Sequence, residues 1–250
     1  MRSWSLALTR FLIVVGLFLV WELASRTGLV NPRLLPPASD VLATAMDLVQ
    51  RSDFRAGVAV TAAEVFVAFI IAVPIGLVIG IIIAESPYAS EVFKPLIFFI
   101  FSIPKSIFLP MFILAFGIGF GQKVAFGIFS TVFIVLMTAF AAIESVRADH
   151  LRVARSYGAT LPQTIARIYL PSMTPVLLEA VRLAMIFNFT GIILAEMYAA
   201  RAGVGYLIGV WGENFMIRQM LAAILLVAVA AIVFNECVRW LEVRCEHWRA

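Results

Sequence analysis

The sequence predicts an all-α integral membrane protein of about six transmembrane helices, and its composition and the spacing of its apolar runs lead to the same class. Of 250 residues, 63% are hydrophobic and only 14% are charged. Mean hydropathy is +1.03, far from the make-up of an average soluble domain. Apolar runs near Leu8–Leu23, Val58–Ala84, Leu96–Phe116, Val124–Ile143, Val176–Ala195 and Met220–Val238 each approach the roughly 20 residues that a helix needs to cross about 30 Å of hydrocarbon. No internal repeat, low-complexity tract or second domain is visible between them.

Taken in order, the first run follows Arg2 and Arg10 as a secretory signal would. No small-x-small cleavage site follows Trp21-Glu22-Leu23, so it reads as an uncleaved anchor. A Pro-rich turn leads into an amphipathic helix from Ser39 to about Gln50, with Val41, Leu42, Ala45, Met46, Leu48 and Val49 on its apolar side, expected at the outer interface. Residues 1–55 therefore form an anchor span plus an outer helix, and residues 56–250 a core. Gly76 and Gly80 give the second span a Gly-x-x-x-Gly pattern of close helix packing. The third run is expected as one span although Pro104, Lys105 and Pro110 interrupt it. The Gly-rich stretch Met197–Arg218, with Trp211, Glu213 and Asn214, reads as an outer loop or re-entrant helix where a solute receptor docks, or as a plain connector with an interfacial Trp.

Orientation follows from the basic residues. With both termini cytosolic, that side holds Arg2, Arg10, Lys94, Arg147, Arg152, Arg155, Arg167, Arg239, Arg244 and Arg249. The outer side holds Arg26, Arg33, Arg51, Arg55, Lys123, Arg201 and Arg218, so the positive-inside bias is mild. The net charge of +4 needs nothing beyond the membrane, and nucleic acid is not an expected partner.

One polar interruption stands out, Leu151–Pro171. Asp149 suits an N-cap, the run through Tyr157 is helix-compatible, and Gly158 can take the positive φ that ends a helix. Thr160 and Gln163 have the spacing of a capping box, and Pro162 is tolerated in a first turn. Two short helices broken at Gly158 are expected, the second stopped at Leu170-Pro171. Leu151, Val153, Ala154 and Tyr157 make an apolar patch among arginines, which needs something to cover it. Either another protein does so, or the ends of the chain's own membrane helices do.

The pattern Leu151-x-x-Ala154-Arg155-x-x-Gly158-Ala159, then Ile168-x-Leu170-Pro171 and Pro175, resembles the cytoplasmic EAA loop of binding-protein-dependent ABC importer permeases. Other fragments resemble the sulfonate, taurine and nitrate subfamily: Leu34-Leu35-Pro36-Pro37, Ile103-Pro104, Leu109-Pro110, Phe116-Gly117-Ile118-Gly119, and Glu196 followed by Gly203-x-Gly205-Tyr206-Leu207. The resemblance runs from about residue 34 to the C-terminus. Two departures carry charge: Arg152 stands where the family has the EAA glutamate, and Glu64, after Thr61, stands where relatives often have arginine.

The resemblance implies a type I ABC importer permease fold, working as a homodimer in the bacterial inner membrane. It implies a cytosolic coupling loop within 144–175 formed by Leu151, Arg152, Ala154, Tyr157, Gly158, Ala159 and Thr160. Two cytosolic ABC ATPase subunits would dock there, and an external solute-binding protein would deliver a small solute. ATP and Mg would sit on the partner subunits. The only Gly cluster resembling a phosphate loop, Gly117–Lys123, lacks the adjacent Gly-Lys-Ser/Thr. His150 and His247 have no metal-ligand spacing around them, and Cys237 and Cys245 fall at the cytosolic end, where thiols stay reduced. No cofactor is therefore expected on this chain, and it is not expected to be an enzyme.

Polar groups inside spans are costly in lipid and usually face a bundle interior or cavity. Ser102, Ser106, Asn188, Thr190 and Glu196 are accordingly candidates for the solute path, with Thr138, Lys105 and Arg182 also considered. For the hydroxyls, bonding to helix backbone is the alternative. A self-sufficient channel or secondary transporter is the competing class. It would need a cluster of intramembrane carboxylates, whereas Glu64 and Glu196 look solitary in sequence.

Overall fold

The computed structural model of the chain describes residues 2–144, 146 and 148–246. Ser145, Arg147, His247 and Arg249 lie outside the described residues, as do the side chains of Arg155, Arg244 and Cys245. Every regular element among the described residues is helical: α1 (Arg2–Arg26), α2 (Ala38–Gln50), α3 (Ser52–Glu85), α4 (Pro87–Ser102), α5 (Leu109–Phe116), α6 (Phe120–Glu144), α7 (Ala148–Ser156), α8 (Leu161–Thr164), α9 (Leu170–Tyr198), α10 (Val204–Glu213) and α11 (Ile217–Glu246). Five helices are long and apolar enough to cross a membrane, and a bent pair makes a sixth crossing if it counts as one span.

That pair is where the structure departs from a straight third span. α4 and the helix resumed at Lys105 are bent by 85°. The residue before a proline is pushed out of the helical region, and Ile103 is extended at φ −76°, ψ 129°. Pro104 also contributes no N–H to bridge the gap.

The centre is built from α3, α6 and α9, which make the broadest mutual contacts. Between helices in lipid, close van der Waals packing replaces the hydrophobic drive. A Cβ on Gly76 would lie 2.7 Å from Val135 Cβ, and one on Gly80 would lie 2.6 Å from Ala139 Cβ. The Gly-x-x-x-Gly pattern thus seats α3 directly on α6. At 34 residues, α3 is about 50 Å long at 1.5 Å per residue, so it projects beyond the hydrocarbon.

The N-terminal segment is tied down by side chains. Trp21 Nε1 donates to Pro36 O at 2.9 Å and Ser25 Oγ to Leu35 O at 2.7 Å, which gives the Leu34–Pro37 turn its anchor. α2 is more than an interfacial helix. Val41, Ala45 and Leu48 are buried against Phe54, Ile208, Trp211, Ala222 and Ala223, while Leu42, Met46 and Val49 stay exposed. Trp211 is likewise no interfacial Trp, being 5% exposed and stacked on Phe54 with centroids 6.5 Å apart.

Candidate functional site

The polar interruption folds as two short helices on either side of Gly158. α7 begins at Ala148, so Asp149 lies in its first turn rather than at the cap. There its charge complements the helix dipole, and it faces Arg152 at 3.8 Å. Gly158 has φ +69°, and the Ala159 N–H donates to Ala154 O at 3.0 Å. This is the six-to-one bond of a Schellman ending, with Gly158 in the left-handed position. Gln163 Oε1 then accepts from the Thr160 N–H at 2.9 Å, which is the reciprocal half of a capping box.

The chain's own helix ends cover only one side of the apolar patch on α7. Ala154 is 9% exposed, and Leu151 packs against Ala142, Val146, Tyr169 and Met173 where α6 ends and α9 begins. Val153 and Tyr157, at 55% and 87% exposed, have no such cover. Leu170-Pro171 does not stop the second helix, because a π-turn over Ile165–Tyr169 carries it into α9. A π-turn widens the helix, and this one lies where the Pro171 ring would otherwise meet the carbonyl four residues back. Tyr169 OH donates to Glu85, which fastens this junction to the end of α3.

At the bend of α4, Lys105 acts as a cap. Its ammonium donates to Ile100 O, Phe101 O and Ile103 O at 2.9, 2.8 and 3.0 Å. It also lies 5.0 and 5.3 Å from the ring centroids of Phe101 and Phe133. All three of its protons are committed to carbonyls at the helix end, of which Ile100 O also accepts from the Ile103 N–H at 3.2 Å. Ser102 and Ser106, on either side of the break, are exposed, and Ser102 Oγ donates to Phe98 O at 2.9 Å.

A second polar cluster is buried toward the α10 end of the core. Thr61 Oγ1 accepts from the Val204 N–H at 2.9 Å and donates to Glu196 Oε1 at 2.7 Å, while Glu196 Oε2 accepts from the Gly205 N–H at 2.7 Å. Lys123 pairs with Glu64 and donates to Ala202 O at 3.3 Å. Glu64 and Glu196 are fully buried, and Lys123 is 4% exposed.

Residues 72–247 match the family described as Binding-protein-dependent transport system inner membrane component. The chain belongs to this family. It is 28% identical to the taurine transport system permease protein TauC of Escherichia coli K12 over 93% of this chain and 86% of that one. It is 25% identical to a putative aliphatic sulfonates transport permease protein, SsuC of Bacillus subtilis 168, over 92% and 83%. In fold it is similar to a bacterial ABC transporter involved in the import of the acidic polysaccharide alginate, with TM-score 0.70, 15% identity, and 98% and 99% of the two chains covered. The MetNI methionine ABC transporter matches with TM-score 0.63, 17% identity, and 75% and 91% covered.

The protein is thus the transmembrane permease component of an ABC-type importer, an inner-membrane, multi-pass chain with the type I permease fold. Of the polar residues singled out in its spans, Asn188 and Glu196 are wholly buried within the chain's own fold, and Asn188 Nδ2 donates to Val65 O at 2.7 Å. Thr190 is exposed and donates to Ile186 O, and Thr138 donates to Ile134 O, both at 2.8 Å. Arg182 is half-buried.

The structure corrects one expectation with chemical weight, since Glu64 and Glu196 are not solitary. They converge with Lys123, which is no solvated outer charge. Residues 64, 123 and 196 lie on three different helices, so no local spacing could reveal the cluster. The one signal was that three charges fall inside or at the edge of apolar runs. Among the described residues, no group of three or more His, Cys, Asp or Glu is arranged to hold a metal ion.

Proposed function

We propose that two copies of this permease enclose a central solute path and that two ABC ATPase subunits dock on the paired loops around Tyr157 and Gly158. In this reading both termini are cytosolic, residues 1–55 scaffold the core of residues 56–250, and an external binding protein delivers a small solute. The observation that carries it is the exposed Val153–Tyr157 face ending at the left-handed Gly158, a projecting loop whose other face is fixed to the inner helix ends. Closure of the ATPases would push Leu151, Arg152, Ala154, Tyr157, Gly158, Ala159 and Thr160 together as a unit. Tyr169 and the π-turn would pass that displacement into α3 and α9, a rigid-body switch between two states.

The path itself is proposed at the bend of α4. Irregular backbone at membrane depth is tolerated only inside protein or beside a water-filled cavity. The exposed break at Ser102 and Ser106 therefore belongs against the second copy, with Thr190 beside the path. Asn188 and Glu196 support it from within the protomer. Because Glu64 is buried and paired with Lys123, its charge is not displayed to solute, so its replacement of the family arginine does not argue against an anionic solute. Taurine and aliphatic sulfonates, for which the relatives are named, are the first solutes to try.

Cross-linking tests the arrangement. Cysteines at Ser106 should join across two copies, and a cysteine at Tyr157 should join to the ATPase subunit. Assembly with the ATPase but without either cross-link would contradict it. A self-sufficient secondary transporter would instead move solute in vesicles without any ATPase.

A further inference from the structure

The motif of Glu196 followed by Gly203-x-Gly205 has a structural reading that transport by itself does not explain. Glu196, at the end of α9, accepts from the Gly205 N–H in the first turn of α10, and Thr61 of α3 accepts from the adjacent Val204 N–H. These N–H groups have no partner inside their own helix, and a carboxylate there also meets the positive end of the helix dipole. Gly203 has φ +120°, and a Cβ on it would collide with the Glu196 carboxylate. A Cβ on Gly205 would lie 2.7 Å from Glu196 Cβ. The two glycines leave the room that this carboxylate occupies. On the α6 side, Lys123 holds Ala202 O, one residue before the glycines, and pairs with Glu64. One short segment, Ala202–Gly205, is thus bound by side chains from α3, α6 and α9.

The charges in this cluster do not balance as written. Glu64 and Glu196 are both fully buried, and one cation, Lys123, pairs with Glu64 and holds Ala202 O beside the glycine on which the Glu196 carboxylate lies. Glu64 has a buried carboxylate oxygen with no hydrogen-bond donor. Two ionised carboxylates buried around one ammonium would leave a negative charge without a counter-charge. One retained proton removes that excess, provides a donor and leaves one negative charge to match Lys123. Arg201 and Glu213, the charges of the neighbouring outer cleft of about 270 Å³, are exposed and stay outside the cluster.

We propose that Glu64 and Glu196 hold a single retained proton between them and, with Lys123 and Thr61, form a neutral clamp that makes α10 one body with α3, α6 and α9. Glu196 is then a positioning residue. The clamp stands on its own geometry and does not depend on where the solute path runs.

The test uses the permease assembled with its ATPase in nanodiscs. Infrared difference spectra at neutral pH should show a protonated carboxylic C=O band in the native protein, lost in both Glu64→Gln and Glu196→Gln. Amide exchange at Val204 and Gly205 should stay slow in Glu196→Gln, whose side-chain oxygen still accepts. It should rise by about tenfold or more in Glu196→Ala, where a helix-capping bond is gone. ATP hydrolysis should stay within about threefold of native in either single Gln variant and fall by about tenfold in the double variant, which leaves Lys123 buried without a counter-charge. Adding Lys123→Met to the double variant should restore it; poor membrane accumulation of the double variant, cured by the same change, carries the same meaning. The proposal is overturned if the native protein lacks the band, or if Glu196→Gln is as damaging as Glu196→Ala. In that case both carboxylates are ionised and hold a cation or solute.

Discussion

Replacing Gly158 with valine isolates the contribution of one backbone angle. Gly158 sits at φ +69°, and a Cβ there would meet no atom within 4 Å. Steric clash with the rest of the protein therefore contributes nothing, and the whole penalty is the left-handed backbone itself, about 1–2 kcal/mol for an L-residue. The loop is exposed and can relax locally, so folding and membrane insertion should be unaffected. The penalty is felt when the ATPase requires the Schellman geometry, and it corresponds to about 5–30-fold weaker association. The assay is the Kd of the solubilised permease for its ATPase subunit, measured for Gly158→Val beside Gly158→Asn, since asparagine visits the left-handed region more readily. Arg152→Glu, at a side chain 80% exposed and 3.8 Å from Asp149, should bind within about fivefold of native because exposed pairs contribute at most about 1 kcal/mol. Native affinity in Gly158→Val, or equal damage from Asn and Val, would refute the reasoning.

Three further outcomes follow from the same contacts. Lys105→Met removes the ammonium from Phe101 O and Ile103 O, each worth about 1–3 kcal/mol when left unpaired, while Ile100 O keeps the Ile103 N–H, so spin labels at the exposed Tyr88 and Met111 should report a broadened bend; an unchanged distance distribution would exclude the capping role. A Cβ at Gly80 would lie 2.6 Å from Ala139 Cβ, so Gly80→Leu should destabilise by about 1–3 kcal/mol through overpacking and lower the melting temperature, whereas Gly16→Leu, with open space around it, should not. Single cysteines at Asp47 and Tyr157 should be labelled by an impermeant maleimide from opposite sides of the membrane, and labelling from one side would demand a different number of crossings.

What could be read from the sequence was local or periodic. The apolar runs yielded the spans because lipid imposes a length on them, and Gly158 announced the helix break because few residues tolerate its φ. The Gly76 and Gly80 pair announced a close contact, though the partner, α6, could not be named. Non-local geometry was hidden. The expectation that Leu170-Pro171 ends a helix failed because a π-turn five residues long accommodates the proline. The third run is hydrophobic enough to read as one span, yet Pro104 bends it by 85°. Lys123 counted as a surface charge until its helix was seen to deliver it to Glu64. The resemblance carried Glu196 and Gly203-x-Gly205 as a motif, and only their contact explains why those residue types belong together.

The central claim is that this permease has no hydrolytic power of its own and draws it from subunits seated on the Gly158 loops. Native mass spectrometry of the membrane-extracted complex, with ATP hydrolysis measured on the same preparation, tests it most directly. The account predicts two copies of this chain with two ATPase subunits, no hydrolysis by the isolated chain, and loss of the ATPase subunits from the Gly158→Val complex before any loss of the permease pair. Specific hydrolysis by the chain alone, or a Gly158→Val complex as intact as the native one, would contradict it.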